Sequence, residues 1–192
     1  MKSKSEILSL MWKLGVICVV VAGLLAFVNG ITAPVIEENN IKNEKIAMRE
    51  VLSGAENFEK KDIDFTPSES GVEVVSVYQA EDKGYVVTSV CKEGYGGDIT
   101  VIVGINPDMT VNKAKIMTIA ETAGLGMKAD SEEFLNQYAG LKKGIGVEKN
   151  NGGNPENNTI SAISGATKTS AAVTKAINCA LEVAHAGGGG NE

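Results

Sequence analysis

The pattern of hydrophobic and polar positions separates an apolar stretch near the N-terminus from a more varied region behind it. No charged residue occurs from Leu14 to Ile36, a run of 23 positions rich in Val, Leu, Ile and Ala. A helix of that length, rising about 1.5 Å per residue, spans a hydrocarbon core of about 30 Å. The sequence therefore predicts a transmembrane helix over residues 14–36.

The charges on either side of this run predict its orientation. Three lysines occur within residues 1–13, and Glu37 and Glu38 follow the run. By the positive-inside rule, residues 1–13 are cytoplasmic and the residues after the single helix are extracytoplasmic, on the outer face of the cell membrane. A cleaved signal peptide is the alternative. We favour an uncleaved anchor in the lipid bilayer, because the run is long for a signal core and no A-x-A site closes it.

The next segment, 37–71, predicts a connecting helix and loop. Residues 35–52 are polar and helical in character, with a weak apolar stripe formed by Ile36, Ile41, Ile46 and Leu52. Residues 56–71 are charged and interrupted by Pro67, which favours a loop.

Residues 72–186 predict a folded domain with an antiparallel sheet and flanking helices, an α+β fold. Four segments rich in Val, Ile, Tyr and Thr are separated by turn residues: 72–80, 85–91, 99–105 and 111–119. Two later segments predict helices, 131–138 with Ser131 as its N-cap and 170–184 with an amphipathic pattern. The Gly- and Asn-rich segment 144–158 predicts a loop, and the glycines of 187–192 predict a flexible tail.

Composition excludes several classes of function. The net charge is −6 and no cluster of Lys and Arg occurs, which argues against nucleic acid as a partner. The single histidine, His185, leaves no material for a His-based zinc site or a Ser-His-Asp triad. The three cysteines show no CxxC spacing, so no metal ligands are predicted. Cys91 and Cys179 could form a disulfide or remain buried thiols, and we favour buried thiols.

The segment 163–170, Ile-Ser-Gly-Ala-Thr-Lys-Thr-Ser, carries the candidate chemistry. It is a turn of small residues that leads into a predicted helix. Free backbone N–H groups and the helix dipole favour a phosphate at such a place, and Gly165 allows a bulky ligand to come close. A simpler interpretation is that Thr169 or Ser170 is the N-cap of the helix.

Ser164-Gly165-Ala166-Thr167 resembles the S/T-G-A-T flavinylation motif of the FMN-binding domain family. That family includes the C subunit of Na⁺-translocating NADH:quinone reductases and the G subunit of Rnf electron-transport complexes. Two further segments are similar in order and spacing: 121–126, Glu-Thr-Ala-Gly-Leu-Gly, resembles a segment that lies against the flavin, and 95–98, Tyr-Gly-Gly-Asp, resembles a turn before a strand. The short layout of anchor and domain is more similar to the Rnf G subunit.

The resemblance implies that Thr167 carries FMN through a phosphoester, placed there by a flavin transferase that uses FAD. It implies an electron carrier without catalytic side chains, in a membrane complex that couples electron transfer between ferredoxin and NAD to movement of Na⁺ or H⁺. The expected partners are the membrane and peripheral subunits of that complex. The implied cofactor contacts come from Tyr95, Gly96, Glu121, Thr122, Gly124, Leu125, Gly126, Ser164, Gly165, Ala166 and Thr169.

Two positions depart from the family pattern. Ala123 stands where a proline is usual, and Ser161 stands where an Asp often precedes the motif by three residues. If that carboxylate assists the transferase, flavin attachment here is slower. The alternatives to an Rnf-type carrier are a C-type subunit of a quinone reductase, a membrane-tethered binding module without redox chemistry, and a stand-alone flavin enzyme. The sequence has no G-x-G-x-x-G fingerprint for a nicotinamide cofactor, which argues against a stand-alone flavin enzyme.

Overall fold

A computed structural model describes residues 4–150 and 152–188. Helix α1 runs without a break over Lys4–Val51, with Pro34 inside it. The predicted transmembrane helix 14–36 and the predicted polar helix 35–52 are therefore parts of one helix. It is long and apolar enough to cross a membrane, with a mean hydropathy of 2.5 in its most apolar window.

The chain forms two units, residues 1–44 and residues 45–192. The last turns of α1 belong to the second unit and cover one face of its sheet, through the buried residues Ala47, Met48, Val51 and Leu52. The predicted apolar stripe of 35–52 is wrong except for Leu52, since Ile36, Ile41 and Ile46 are exposed. The sheet comes close to the helix backbone at this face, since a Cβ on Gly104 would lie 2.0 Å from the Val51 carbonyl oxygen.

The second unit is built on a five-stranded antiparallel sheet in the order β1-β2-β3-β4-β5. Its strands are β1 Glu59–Lys61, β2 Val72–Gln79, β3 Tyr85–Cys91, β4 Ile99–Ile105 and β5 Val111–Thr118. The four predicted strands are confirmed to within one residue at their ends. Strand β1 lies inside the predicted loop 56–71, where its charged sequence Glu-Lys-Lys gave no apolar alternation.

Helix α3, Thr167–Gly187, packs on the other face of the sheet. Side chains along the strands therefore point alternately to the two faces of the sheet. Val86 and Ile102 pack with the end of α1, while Val87, Val101 and Val103 pack with α3 in the main core. Helices on both faces of an antiparallel sheet confirm the predicted α+β class.

The connection between β5 and α3 contains the remaining elements. Helix α2, Glu132–Leu135, begins after Ser131, whose Oγ accepts a hydrogen bond from Phe134 N–H at 3.3 Å, as predicted for an N-cap. The predicted loop 144–158 contains strand β6, Gly146–Glu148, which pairs in parallel with β7, Thr159–Ser161. This short pairing was not predicted, because the segment is rich in Gly and Asn, which are uncommon in strands. Of the predicted tail, residues 189–192 lie outside the described residues.

Tyr138 and two of the cysteines are buried in the core of the second unit. Tyr138 is fully buried, packs edge-on against Phe134 and shares a 2.8 Å hydrogen bond with the Thr174 hydroxyl, so it is a core residue. Cys91 and Cys179 are buried free thiols. Burial raises the pKa of both, that of Cys179 to about 12.

Candidate functional site

The candidate motif lies where helix α3 begins. The helix starts at Thr167, three residues before the predicted start, and its N-cap is Ala166, which offers no side-chain cap. The interpretation of Thr169 or Ser170 as the N-cap is therefore wrong, because both lie within the first turn. Ser170 Oγ instead accepts the Ile163 N–H at 3.0 Å and donates to the Ala166 carbonyl at 3.1 Å, which holds the turn against the helix.

Thr167 is exposed at the first position of α3. The turn before it is closed by the Ala166 N–H, which donates to the Ile163 carbonyl at 2.9 Å. Gly165 has φ of +78°, a conformation that glycine adopts at low cost. The first N–H groups of a helix have no partner within it, so the Thr167 hydroxyl lies beside free donors.

A cleft of about 380 Å³ opens beside this helix end. Its size is in the range of small-molecule sites. It is lined by Tyr95, Glu121, Thr122, Leu125, Gly126, Gly165, Ala166, Thr167, Lys168 and Thr169. The three sequence segments that were singled out for their motifs thus meet in one place, although they are separated by up to about seventy residues along the chain.

Three of the predicted site residues do not line this cleft. Ser164 lies on a neighbouring crevice of about 290 Å³, which also includes Lys149 and Thr167. Gly96 and Gly124 shape the backbone instead. A Cβ on Gly96 would lie 2.1 Å from the Ala120 carbonyl oxygen, and Gly124 has φ of +79°.

Glu121 connects the two loops that form the wall of the cleft opposite α3. Its Oε1 accepts a hydrogen bond from Tyr95 N–H at 2.7 Å. A Cβ on Gly126 would lie 2.7 Å from Glu121 Oε2, so the carboxylate packs directly over this glycine. Gly94, which sequence reasoning missed, is needed for a similar reason, since its Cβ would lie 2.1 Å from the Gly97 carbonyl oxygen.

Comparison with known proteins now identifies the chain. Residues 94–182 match the FMN-binding domain family. The G subunit of the Na(+)-translocating ferredoxin:NAD(+) oxidoreductase complex of Acetobacterium woodii is 36% identical, over 90% of each chain. The G subunit of the proton-translocating ferredoxin:NAD(+) oxidoreductase complex of Clostridium ljungdahlii is 30% identical, over 94% of this chain and 93% of the relative. The chain belongs to the family of Rnf G subunits.

A solved structure shares the fold. The C subunit of the Na(+)-translocating NADH-quinone reductase of Parabacteroides distasonis superposes with a TM-score of 0.51 at 22% identity. The superposition covers 62% of this chain and 63% of that one. This likeness shows a common fold, and the relatives at 36% and 30% identity confirm the family expected from the three motifs.

The cleft of this Rnf G subunit fits a flavin mononucleotide in two respects. First, it combines a helix N-terminus with tightly packed glycines, which suit a phosphate and a bulky ring. Second, Tyr95 and Leu125 present exposed apolar surface at the cleft, and Glu121, Thr122 and Thr169 line it with polar side chains. Apolar surface combined with a few polar groups is typical of a ligand site.

The charges around the cleft are mixed. Lys168 Nζ lies 6.0 Å from the centre of the exposed Tyr95 ring, and Lys168 lines the cleft. Lys128, which is also near in sequence to the Glu121 segment, does not line it. Lys175, which does not line the cleft, pairs with Glu69 and Glu93 and lowers the pKa of Glu93. No group of metal-ligating side chains occurs in the described part of the chain.

Ser161, which stands where the family often has an Asp, does not line the cleft and forms its hydrogen bonds elsewhere. Its Oγ accepts the Gly153 N–H at 3.0 Å, and its own N–H donates to Gln137 Oε1 at 2.8 Å. It therefore supports the loop before β7, a task for which a carboxylate would serve equally well as an acceptor.

Proposed function

We propose that this chain carries FMN as a phosphoester on Thr167 and is the electron-carrying G subunit of an ion-translocating ferredoxin:NAD(+) oxidoreductase. The observation that supports it most directly is the position of Thr167. Its exposed hydroxyl lies at the first position of α3 and lines the cleft that the three motif segments share. The bound FMN would supply one-electron redox chemistry that no side chain provides.

Attachment requires a transferase that uses FAD. The Thr167 Oγ–phosphorus bond forms as the pyrophosphate bond of FAD breaks, AMP leaves, and the hydroxyl proton passes to a base of the transferase. This chain contributes an accessible hydroxyl and the free N–H groups of the first turn of α3, which stabilise negative charge on the phosphate. Gly165 and Gly126 keep the approach open.

The remaining lining residues hold the ring. Tyr95 and Leu125 are among the few exposed large apolar side chains of the second unit, with 72% and 45% of their surface accessible. Exposed apolar residues at a cleft are typical of a ligand site. We assign Glu121, Thr122 and Thr169 as the polar contacts of the cleft, with Ser164 and Ala166 in the attachment turn.

The long apolar helix α1 supports a membrane location for this chain. With lysines before the apolar run and glutamates after it, we propose a single-pass topology with a cytoplasmic N-terminus and an extracytoplasmic FMN domain. The other subunits of the complex then bind along α1 and around the cleft. A covalent bond suits this location, because a flavin lost outside the cytoplasm is not recovered.

Mass spectrometry of the chain co-expressed with a flavin transferase tests this proposal. The tryptic peptide 150–168 should gain the mass of FMN less one water, with the modified atom assigned to Thr167 by fragmentation. A peptide of unchanged mass from cells with an active transferase would contradict the proposal. The membrane-tethered binding module would then be the better account of the cleft.

A further inference from the structure

A row of polar side chains lies along one side of helix α3 and ends at the cleft. Lys168, Lys175 and Glu182 are each seven residues apart, close to two helical turns, so they share that side. At the far end, Glu182 Oε2 accepts hydrogen bonds from the Oγ and the N–H of Ser68, at 2.8 and 3.3 Å. At the cleft, Lys168 Nζ lies 6.0 Å from the centre of the Tyr95 ring.

Lys175, in the middle of this polar row, joins α3 to two other segments. Its Nζ lies 2.9 Å from Glu93 Oε2 and 3.3 Å from Glu69 Oε2. Glu93 lies in the turn between β3 and β4, whereas Glu69 belongs to the loop before β2. Lys175 is only 30% exposed, so its ion pairs are less screened by solvent than that of Lys92 with Glu73, at 49% and 61%.

Glu93 also contacts the loop before β2 directly. A Cβ on Gly71 would lie 2.7 Å from Glu93 Cγ, and the Lys92 N–H donates to the Gly71 carbonyl at 2.7 Å. Gly94 leaves the turn little freedom on its other side, since its Cβ would lie 2.1 Å from the Gly97 carbonyl oxygen. The position of Glu93 therefore fixes the path of the residues that follow it.

Tyr95 follows Glu93 by two residues and lines the cleft. Its N–H donates to Glu121 Oε1, on the loop after β5, at 2.7 Å. The turn is thus held at two neighbouring points, to α3 through Glu93 and to the opposite loop through Tyr95. Together these two contacts set how far this wall of the cleft stands from the start of α3.

We propose that Lys175 is a positioning residue for flavin attachment. By binding Glu93, it holds the turn 93–97 at the distance from α3 at which Thr167 Oγ bonds the phosphorus while AMP leaves from FAD. Lys175 does not line the cleft, so it acts through the turn and not through the cofactor. This inference rests on the proposed function and names a residue that controls its rate.

The ion pair acts on a local equilibrium. Partly exposed ion pairs contribute little to global stability, but a turn between two strands opens at a lower free energy than the whole domain. Without the Lys175 charge, the turn 93–97 is therefore open for a larger fraction of the time, while the denaturation midpoint stays the same. A misplaced wall slows a reaction that depends on orientation.

The experiment uses the full-length chain purified in detergent. Two quantities are measured for each variant: the amide hydrogen exchange of residues 93–97 before loading, and the initial rate of covalent flavin incorporation by a flavin transferase supplied with FAD. The variants are Lys175→Gln, Glu93→Gln and the double variant Lys175→Glu with Glu93→Lys, which exchanges the two charges. Glu73→Gln is the matched control, because it removes the carboxylate of an exposed ion pair that does not involve α3.

Lys175→Gln and Glu93→Gln should each increase the exchange rate of residues 93–97 about fivefold, the upper end for a partly exposed ion pair. The initial incorporation rate should fall by a similar factor. The double variant should bring both quantities back to within about twofold of the original protein, because opposite charges face each other again. Glu73→Gln should leave both within about 1.5-fold.

Unchanged incorporation in Lys175→Gln and Glu93→Gln, with or without a change in exchange, overturns the inference and leaves the proposed function intact. So does a slow incorporation that the double variant fails to restore, because the loss then has a cause other than the ion pair. If Lys175→Gln does not accumulate, Glu93→Gln decides by the same criteria. An original protein that stays without flavin, despite an active transferase, defeats the proposed function and this inference with it.

Discussion

The backbone N–H of Tyr95 donates a 2.7 Å hydrogen bond to Oε1 of Glu121, across 26 residues of sequence. This contact ties the turn before β4 to the loop after β5. Together with the packing of Glu121 over Gly126, it makes a single wall from two of the motif segments. The cleft therefore has a fixed wall facing the N-terminus of α3.

Replacing Glu121 by Ala should loosen this wall. The Tyr95 N–H loses a charged acceptor, and we expect its protection from hydrogen exchange to fall about tenfold, equivalent to roughly 1.4 kcal/mol. Glu121→Gln keeps an acceptor at the Oε1 position and should retain most of the protection. Equal protection in Glu121→Ala and the original protein would show that the loop is held by other contacts.

The hydrogen bond between Tyr138 and Thr174 should contribute measurably to stability. Both side chains are buried, and burial raises the pKa of the Tyr138 phenol. We expect Tyr138→Phe to lower the free energy of unfolding by about 1 kcal/mol, because one buried hydrogen bond is lost while the ring stays packed against Phe134. Denaturant unfolding of the second unit, followed in detergent, measures this. A change within 0.3 kcal/mol, on the order of experimental error, would show that the bond is not a net contributor.

The buried thiols should be unreactive in the folded protein. Burial raises the pKa of Cys91 and of Cys179, so little thiolate is present near neutral pH. In a Cys18→Ser variant, maleimide should label no cysteine before denaturation and both remaining cysteines afterwards, without added reductant. If labelling after denaturation required a reductant, the two cysteines would be joined by a disulfide.

The ion pairs between the end of α1 and the sheet should make a pH-dependent contribution to the stability of the second unit. Glu50 forms ion pairs with Lys113 and Lys115 of β5, and hydrogen bonds from Lys115 and then Lys113 lower its pKa. A lowered pKa means that this stabilisation is present above the ordinary carboxyl value and is lost as pH falls through the folded value. These side chains are each 39% exposed, so the contribution is small, about 0.5 kcal/mol.

Unfolding of Glu50→Gln and the original protein at several pH values checks this expectation. The stability difference should be present at pH 7 and disappear once the pH has fallen through the lowered pKa of Glu50 in the folded protein, because the carboxyl is then protonated in both the folded and the unfolded state. Glu59→Gln, at an exposed pair within β1, is the control and should show a smaller difference. A difference that persists at low pH would assign the effect to packing.

The local pattern of the chain predicted most of the fold. The strands 85–91 and 99–105 agree with the structure because their β-branched residues and flanking turns leave few other choices. The packing of α1 on the sheet was missed, because whether Ile46 or Ala47 faces inward depends on where the sheet lies. Short pairings such as β6 with β7 also depend on tertiary contacts more than on composition.

For the candidate cleft, the sequence indicated which segments to consider but not how they are arranged. Resemblance to a family singled out Thr167 and the segment around Glu121, and the structure brings them to one cleft. The start of α3 at Thr167 was missed, since no residue there is a favoured N-cap and the turn is held by Ser170 from within the helix. The burial of Thr169 at the cleft could not be predicted, because it results from three-dimensional packing.

Covalent flavin on Thr167 is the central claim, and in-gel flavin fluorescence after denaturing electrophoresis tests it most directly. The original protein, Thr167→Ala and Thr169→Ser are co-expressed with an active flavin transferase, the last as a control that changes a neighbouring threonine but keeps its hydroxyl. We predict a fluorescent band for the original protein and for Thr169→Ser, and none for Thr167→Ala. A dark band for the original protein, or an equally bright one for Thr167→Ala, would contradict the account.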